Sequence, residues 1–109
     1  MTSTTTIIKK HDAAQRSIRS TVAIEGTDIE LEVGTSHNKD RKCLVTYATR
    51  KVRRDNVVTY AVMEDVQRLR TSPIARYSAK VLESQHAELE DILNDPDWLS
   101  WAREASQAN

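Results

Sequence analysis

The chain has 109 residues, enough for one hydrophobic core, and its composition of 39% hydrophobic and 29% charged residues without any Phe leaves that core to Ile, Val and Leu. Sixteen Lys plus Arg balance sixteen Asp plus Glu, so no overall field draws the chain to nucleic acid or to a membrane surface. A single cysteine, Cys43, excludes an internal disulfide, no stretch approaches the roughly 20 apolar residues of a membrane span, and no signal-like segment opens the chain; the expected setting is cytoplasmic.

In chain order, residues 1–16 read as a mobile or weakly structured N-terminal segment and 17–109 as a single α+β domain. Met1 to Thr6 is a Ser/Thr run, and Ile7 to Gln15 fits either an edge strand or a short helix capped by Asp12. From Ser17 onward the period is two. A turn at Gly26-Thr27 sets Ile24 opposite Ile29, Val22 opposite Leu31 and Ser20 opposite Val33, with Arg19, Thr21, Glu25, Asp28, Glu30 and Glu32 on the other face. A slip of one residue would turn both apolar sets to water, so the pattern specifies its own register; Gly first in the turn suits type II′.

Thr35 to Lys42 reads as a polar loop, followed by strands over Cys43–Arg54 and Val57–Val62 joined at Asp55-Asn56. In that register Cys43, Val45, Tyr47 and Thr49 share the core face with Val58, Tyr60 and Val62, and Lys51 and Arg53 lie on that side near the turn. Arg50 and Arg54 lie on the other face, within reach of Glu30 and Glu32. The tip extends about 13 Å past Arg50 at roughly 3.3 Å per residue, beyond the core.

Thereafter the period becomes 3.6. Met63 to Arg70 reads as a short helix, Ser72-Pro73 as the start of a long one carrying Ile74, Tyr77, Val81, Leu82, Gln85, Leu89, Ile92 and Leu93 on one stripe, and Asp95-Pro96 as the start of the last, which bears Trp98 and Trp101. The expected fold is an antiparallel β-meander of about four strands followed by two or three helices packed on one face.

Charge is segregated along the chain. Lys39, Arg41, Lys42, Arg50, Lys51, Arg53 and Arg54 fall between His37 and Arg54 with Asp40 the only acid, whereas from Glu83 to the end seven acids meet only Arg103. The basic block suits phosphate or an acidic partner, each contact displacing counterions; its bland alternative is cross-strand pairing with Glu30 and Glu32. The acidic block includes Glu88 and Asp91 off the apolar stripe. With the Trp pair, a residue type enriched where binding energy concentrates, these define a candidate protein interface. The two blocks also permit a homodimer.

No catalytic residue can be singled out. His11, His37, His86 and Cys43 have no paired metal spacing, and strand alternation makes Cys43 an inert core thiol. Neither Gly26 nor Gly34 opens a phosphate loop. The sequence therefore points to a small non-catalytic protein-interaction module of inhibitor or adaptor type, with nucleic-acid binding through the basic hairpin 39–54 as the alternative, and without cofactor or metal.

Overall fold

The computed structural model of the chain describes residues 6–54, 57–59 and 65–107, with side chains described outside 53, 54, 57–59, 106 and 107. Two strands, β2 (Ser17–Ala23) and β3 (Ile29–Asn38), pair antiparallel with Val22 opposite Leu31 and Ser20 opposite Val33, and the Ile24 N–H donates to the Ile29 carbonyl. The register follows the hydrophobic pattern, but the turn sits one residue earlier than expected. The Thr27 N–H closes on the Ile24 carbonyl, placing Gly26 third in the turn at φ +78°, where a side chain would be strained. The Thr27 hydroxyl then donates to the Ile24 carbonyl and accepts from the Ile29 N–H.

Four further strands complete one antiparallel sheet. β1 (Ile8–Asp12) is an edge strand on β2, which decides the open reading of the N-terminal segment. β4 (Cys43–Arg54) pairs with β3 along one side, while β5 (Val57–Thr59) and β6 (Val66–Pro73) share its other side. Arg54 pairs with Val57 as expected; the turn at Asp55-Asn56, with Tyr60 and Val62, lies outside the described residues.

Besides the turn, and besides residues 35–38, which extend β3 where a polar loop was expected, three expectations are corrected. Where a short helix was expected over 63–70, residues 66–73 form β6, because the open side of β4 offers backbone groups that only another strand satisfies in register. Ser72-Pro73 closes that strand and starts no helix. Helix α1 (Ala79–Glu90) instead begins after Ser78, whose hydroxyl accepts from the Val81 N–H; Asp91–Asn94 then tightens into a single 3-10 turn. The Asp95-Pro96 signal holds: α2 (Pro96–Gln107) starts there, with the Asp95 carboxylate accepting from the Asp97 N–H.

The third correction concerns the faces of β4. Leu31, Val33 and Thr35 lie opposite Arg50, Ala48 and Thr46, so the even-numbered residues of β4 face the helices and Cys43, Val45, Tyr47, Thr49 and Lys51 face away. Both alternating sets of β4 contain apolar residues, so its own pattern is ambiguous, and the unambiguous strand β3 decides. Cys43 is buried nonetheless.

Both helices cover the same face of the sheet, and the core beneath them is divided. Under α2 lies the larger cluster of Val22, Ile24, Ile29, Leu31, Val33, Leu93 and Ala102, with Val52, Trp98, Leu99 and Trp101 packed against it. A smaller cluster of Ile18, Leu44 and Leu82, with Ile74 and Tyr77, lies under α1 at the other end. Each fully buried Leu or Ile contributes about 1.5–3 kcal/mol, so the larger cluster carries most of the stability.

Candidate functional site

The seven basic residues of the 39–54 block do not form one surface. β4 separates them: Lys42 and Arg50 are about 26 Å apart along an extended strand at roughly 3.3 Å per residue. Arg50 turns under α2, where its side chain is 16% exposed; Nε bonds Asp65 at 2.9 Å, Nη1 donates to the Trp101 carbonyl at 2.6 Å, and the guanidinium stacks 4.6 Å from the Trp101 ring. Lys51 bonds Glu32 at 2.9 Å on the opposite face. The expected pairing of Arg50 with Glu30 or Glu32 is thus replaced by Lys51 with Glu32, a direct consequence of the inverted faces. The side chains of Arg53 and Arg54 lie outside the described residues.

Lys39, Arg41 and Lys42 remain exposed in the β3–β4 turn, and the fold brings other cations to them. The His37 N–H donates to the Arg16 carbonyl, and the Ile74 N–H donates to the Lys42 carbonyl. These bonds gather the β1–β2 turn, the β3–β4 turn and the β6–α1 loop at one end of the sheet. Arg16 lies 4.7 Å over the Tyr77 ring, and His37 packs on the same ring at 5.3 Å. The resulting basic end holds Arg16, Lys39, Arg41, Lys42 and Arg76, with Asp12 and Asp40 as its acids.

Two of these residues hold left-handed backbone: Arg16 and Lys42 both have φ +51°, the only non-glycine residues with positive φ among those described. Each closes a turn where glycine or asparagine would carry less strain, of order 1 kcal/mol per residue. Asp12 and Asn38 stabilise these turns, their side-chain oxygens accepting backbone N–H bonds from Gln15 and from Asp40 and Arg41.

The residues expected to form a protein interface are spread over the acidic half. Trp98 and Trp101 pack edge to face, ring centroids 5.6 Å apart, and both rest partly buried on the larger core. Glu88 bonds Arg70 across to β6, and Asp91 is exposed at the start of the 3-10 turn.

Between the two apolar clusters runs a polar seam that sequence reading missed. Ser20, Thr35, Thr46, Gln85 and His86 are all buried and linked. The Ser20 hydroxyl donates to Glu90 Oε2 at 2.6 Å, so it accepts from His86 Nε2 at 2.8 Å. Gln85 Nε2 donates to Thr46, the Thr46 and Thr35 hydroxyls bond each other, and Thr35 bonds His86 Nδ1, at 3.0, 2.9 and 2.9 Å. With Nε2 donating to Ser20, a neutral ring accepts at Nδ1 from Thr35, and Thr46 then donates to Thr35. Burial pushes the His86 pKa below the usual histidine value, and the Lys9 ammonium adds to the depression against the opposing pull of the Glu90 carboxylate.

The seam contains a hydroxyl, an imidazole and a carboxylate, yet its geometry does not activate a nucleophile. Ser20 and His86 are both fully buried, and the serine proton is directed at Glu90 rather than at the ring that would have to remove it. Its role is to fasten α1 to β2, β3 and β4. Part of the signal was present in the sequence, since Ser20 occupies a core position of a strand and Gln85 lies on the apolar stripe of α1; Thr35, expected in a polar loop, joins the seam only because β3 runs on to Asn38. Among the described residues no group of three His, Cys, Asp or Glu side chains is placed to hold a metal ion, and no helix is long and apolar enough to cross a membrane. No family model matches the chain, and neither curated proteins nor solved structures contain a match to it.

Proposed function

We propose that the chain is a non-catalytic protein-interaction module that presents its basic end to an acidic surface of a partner protein. The observation that carries this reading is the pair of basic residues in strained backbone. Arg16 and Lys42 stand where glycine would stabilise the turn; Arg16 lies on the Tyr77 ring, and Lys42 is exposed beside Lys39 and Arg41 at the same end of the molecule. Strain of this kind persists when the side chain has a use the turn itself does not supply.

A protein fits better than a nucleic acid. Single-stranded nucleic acid is held by stacking as well as by charge, and Tyr77, the aromatic ring of this end, is already engaged by Arg16 and His37. Among the described side chains of the hairpin, Arg50 and Lys51 are neutralised internally, which interrupts the run of free charge that a phosphate backbone would follow. A second copy offering its acidic end would make a head-to-tail contact that does not close on itself unless a ring forms, which favours a different chain as partner.

The test is fluorescence anisotropy with a labelled decaglutamate peptide and a labelled single-stranded oligonucleotide. The reading expects the peptide to bind, with affinity falling as salt rises, and Arg41→Glu with Lys39→Glu to remove binding while Arg70→Glu does not. Tighter, stacking-dependent binding of the oligonucleotide would transfer the site to the nucleic-acid reading, and binding of neither would end both.

A further inference from the structure

The face of the sheet turned away from the helices carries a feature that the basic end does not explain. Register places Lys10 opposite Arg19, Arg19 opposite Gly34, Gly34 opposite Tyr47 and Tyr47 opposite Arg68, one transverse row over β1, β2, β3, β4 and β6. At roughly 4.8 Å between strands the row is about 19 Å long. It runs through a cleft of about 490 Å³ lined by Ser17, Arg19, Gly34, Ser36, Tyr47 and Thr49, within the size range of small-molecule sites.

Gly34 has no structural reason to be glycine. Gly26 needs its positive φ, but Gly34 has backbone open to any residue, and a Cβ built there would meet only Arg19 Cγ at 3.6 Å, an ordinary contact. A glycine inside a strand weakens it, and commonly marks a place where a ligand or another backbone approaches closely. Here it leaves a bare, flat floor between an arginine and a tyrosine.

The charged residues lining the cleft are Arg19, Asp12 and Glu32, and Lys10 and Arg68 stand beyond that lining at the two ends of the row. Lys10, Arg19 and Arg68 are exposed, and their side chains form no hydrogen bond or ion pair among the described residues. Glu32, the acid beside the row, is neutralised by Lys51 at 2.9 Å, and Asp12 at the rim accepts from the Gln15 N–H. The hydroxyl-bearing Ser17, Ser36 and Thr49 flank the row and can donate to an anion's oxygens.

We infer that this cleft is a binding site for a small molecule joining a flat ring to an anionic group, phosphate or carboxylate, with the ring over Gly34 against Tyr47 and the anion on the Arg19 guanidinium. Arginine suits either anion through two parallel hydrogen bonds, and the bare backbone at Gly34 lets a planar group lie close. The site borders the basic end at Asp12 and Gln15 but uses none of its cations.

Calorimetric titration of the full chain tests it with adenosine 5′-monophosphate and indole-3-carboxylate as ring-bearing anions, and with adenosine and inorganic phosphate as the separate halves. At least one ring-bearing anion is expected to bind about tenfold or more tighter than either half; which one binds identifies the anion. Arg19→Gln should weaken it about tenfold, Gly34→Leu should abolish it by filling the floor, and Arg41→Gln should leave it unchanged. Gly34→Ala supplies a measurement that needs no ligand: its Tm should equal or exceed that of the parent chain. Absence of binding by both ring-bearing anions at millimolar concentration, binding untouched by Arg19→Gln, or a lower Tm for Gly34→Ala would each overturn the assignment.

Discussion

The two ends of the sheet treat the same residue type in opposite ways. Under α2, Arg50 is absorbed: it is bonded to Asp65 and the Trp101 carbonyl, stacked on an indole and set beside the larger apolar cluster. At the end gathered by three loops, Lys39, Arg41 and Lys42 are left to solvent over a much smaller cluster. Both groups belong to one charge block on one hairpin. The difference teaches that a charge run becomes a surface only where the fold withholds partners: Asp65 and the Trp101 carbonyl stand beside Arg50, whereas among the described residues no acid is bonded to Lys39, Arg41 or Lys42.

The sharpest way to break this contrast is to empty the two clusters in turn. Leu93 and Leu82 are both fully buried, one in each. Leu93→Ala should cost about 3–5 kcal/mol in urea unfolding and Leu82→Ala nearer 2–3, since cavity costs grow with how little the surroundings can collapse. Equal costs would mean that the two ends are equally well packed.

Arg50→Met is the next largest effect. It leaves Asp65 and the Trp101 carbonyl without their donor, and should cost about 1–3 kcal/mol, whereas Arg41→Met should stay within about 0.5 kcal/mol. A matching small loss at both positions would place Arg50 among the solvated charges.

The seam between the ends responds to acid. The His86 pKa in the folded chain lies below the ordinary value of about 6.5 that it has when unfolded, so as pH falls below about 6.5 the unfolded chain takes up the proton first. The stability that a neutral, buried His86 supports is complete above that value and drains as pH falls, by at most about 1.4 kcal/mol per unit. Urea midpoints measured between pH 7.5 and 5.5 should show the decline, and His86→Gln should flatten it. Glu90 and Lys9 are the charged groups beside the ring, from α1 and β1; β2, β3 and β4 present only Ser20, Thr35 and Thr46 to it.

The smallest effect has the opposite sign. Lys42→Gly relieves a left-handed residue and should raise stability by about 0.5–1 kcal/mol while weakening the acidic peptide. Gain of stability with unchanged peptide affinity would show that the strain at the basic end serves no partner.

Much of the fold was legible in the chain because local rules were unopposed. The β2–β3 register followed from two apolar sets that can share only one face, the extent of β4 from its long run of strand formers, and the start of α2 from an aspartate before a proline. Tertiary context overrode local signals elsewhere. Ser72-Pro73 has the chemistry of a helix start, but the free side of β4 claimed residues 66–73 as a strand, and the helix waited for Ser78.

What the sequence determined by itself was therefore the class of the fold, the hairpin register and the separation of charge along the chain, all set by spacing between near neighbours. Only the tertiary structure decided which face of β4 met the helices, since both of its alternating sets are partly apolar and the choice belongs to β3. That decision buried Arg50, exposed Lys51 to Glu32 and turned Tyr47 outward beside Gly34. It likewise brought Arg16 and Arg76 to Lys42 and linked Ser20 to His86 across 66 residues, because contacts between distant segments depend on how whole strands and helices stack rather than on the order of residues within any one of them.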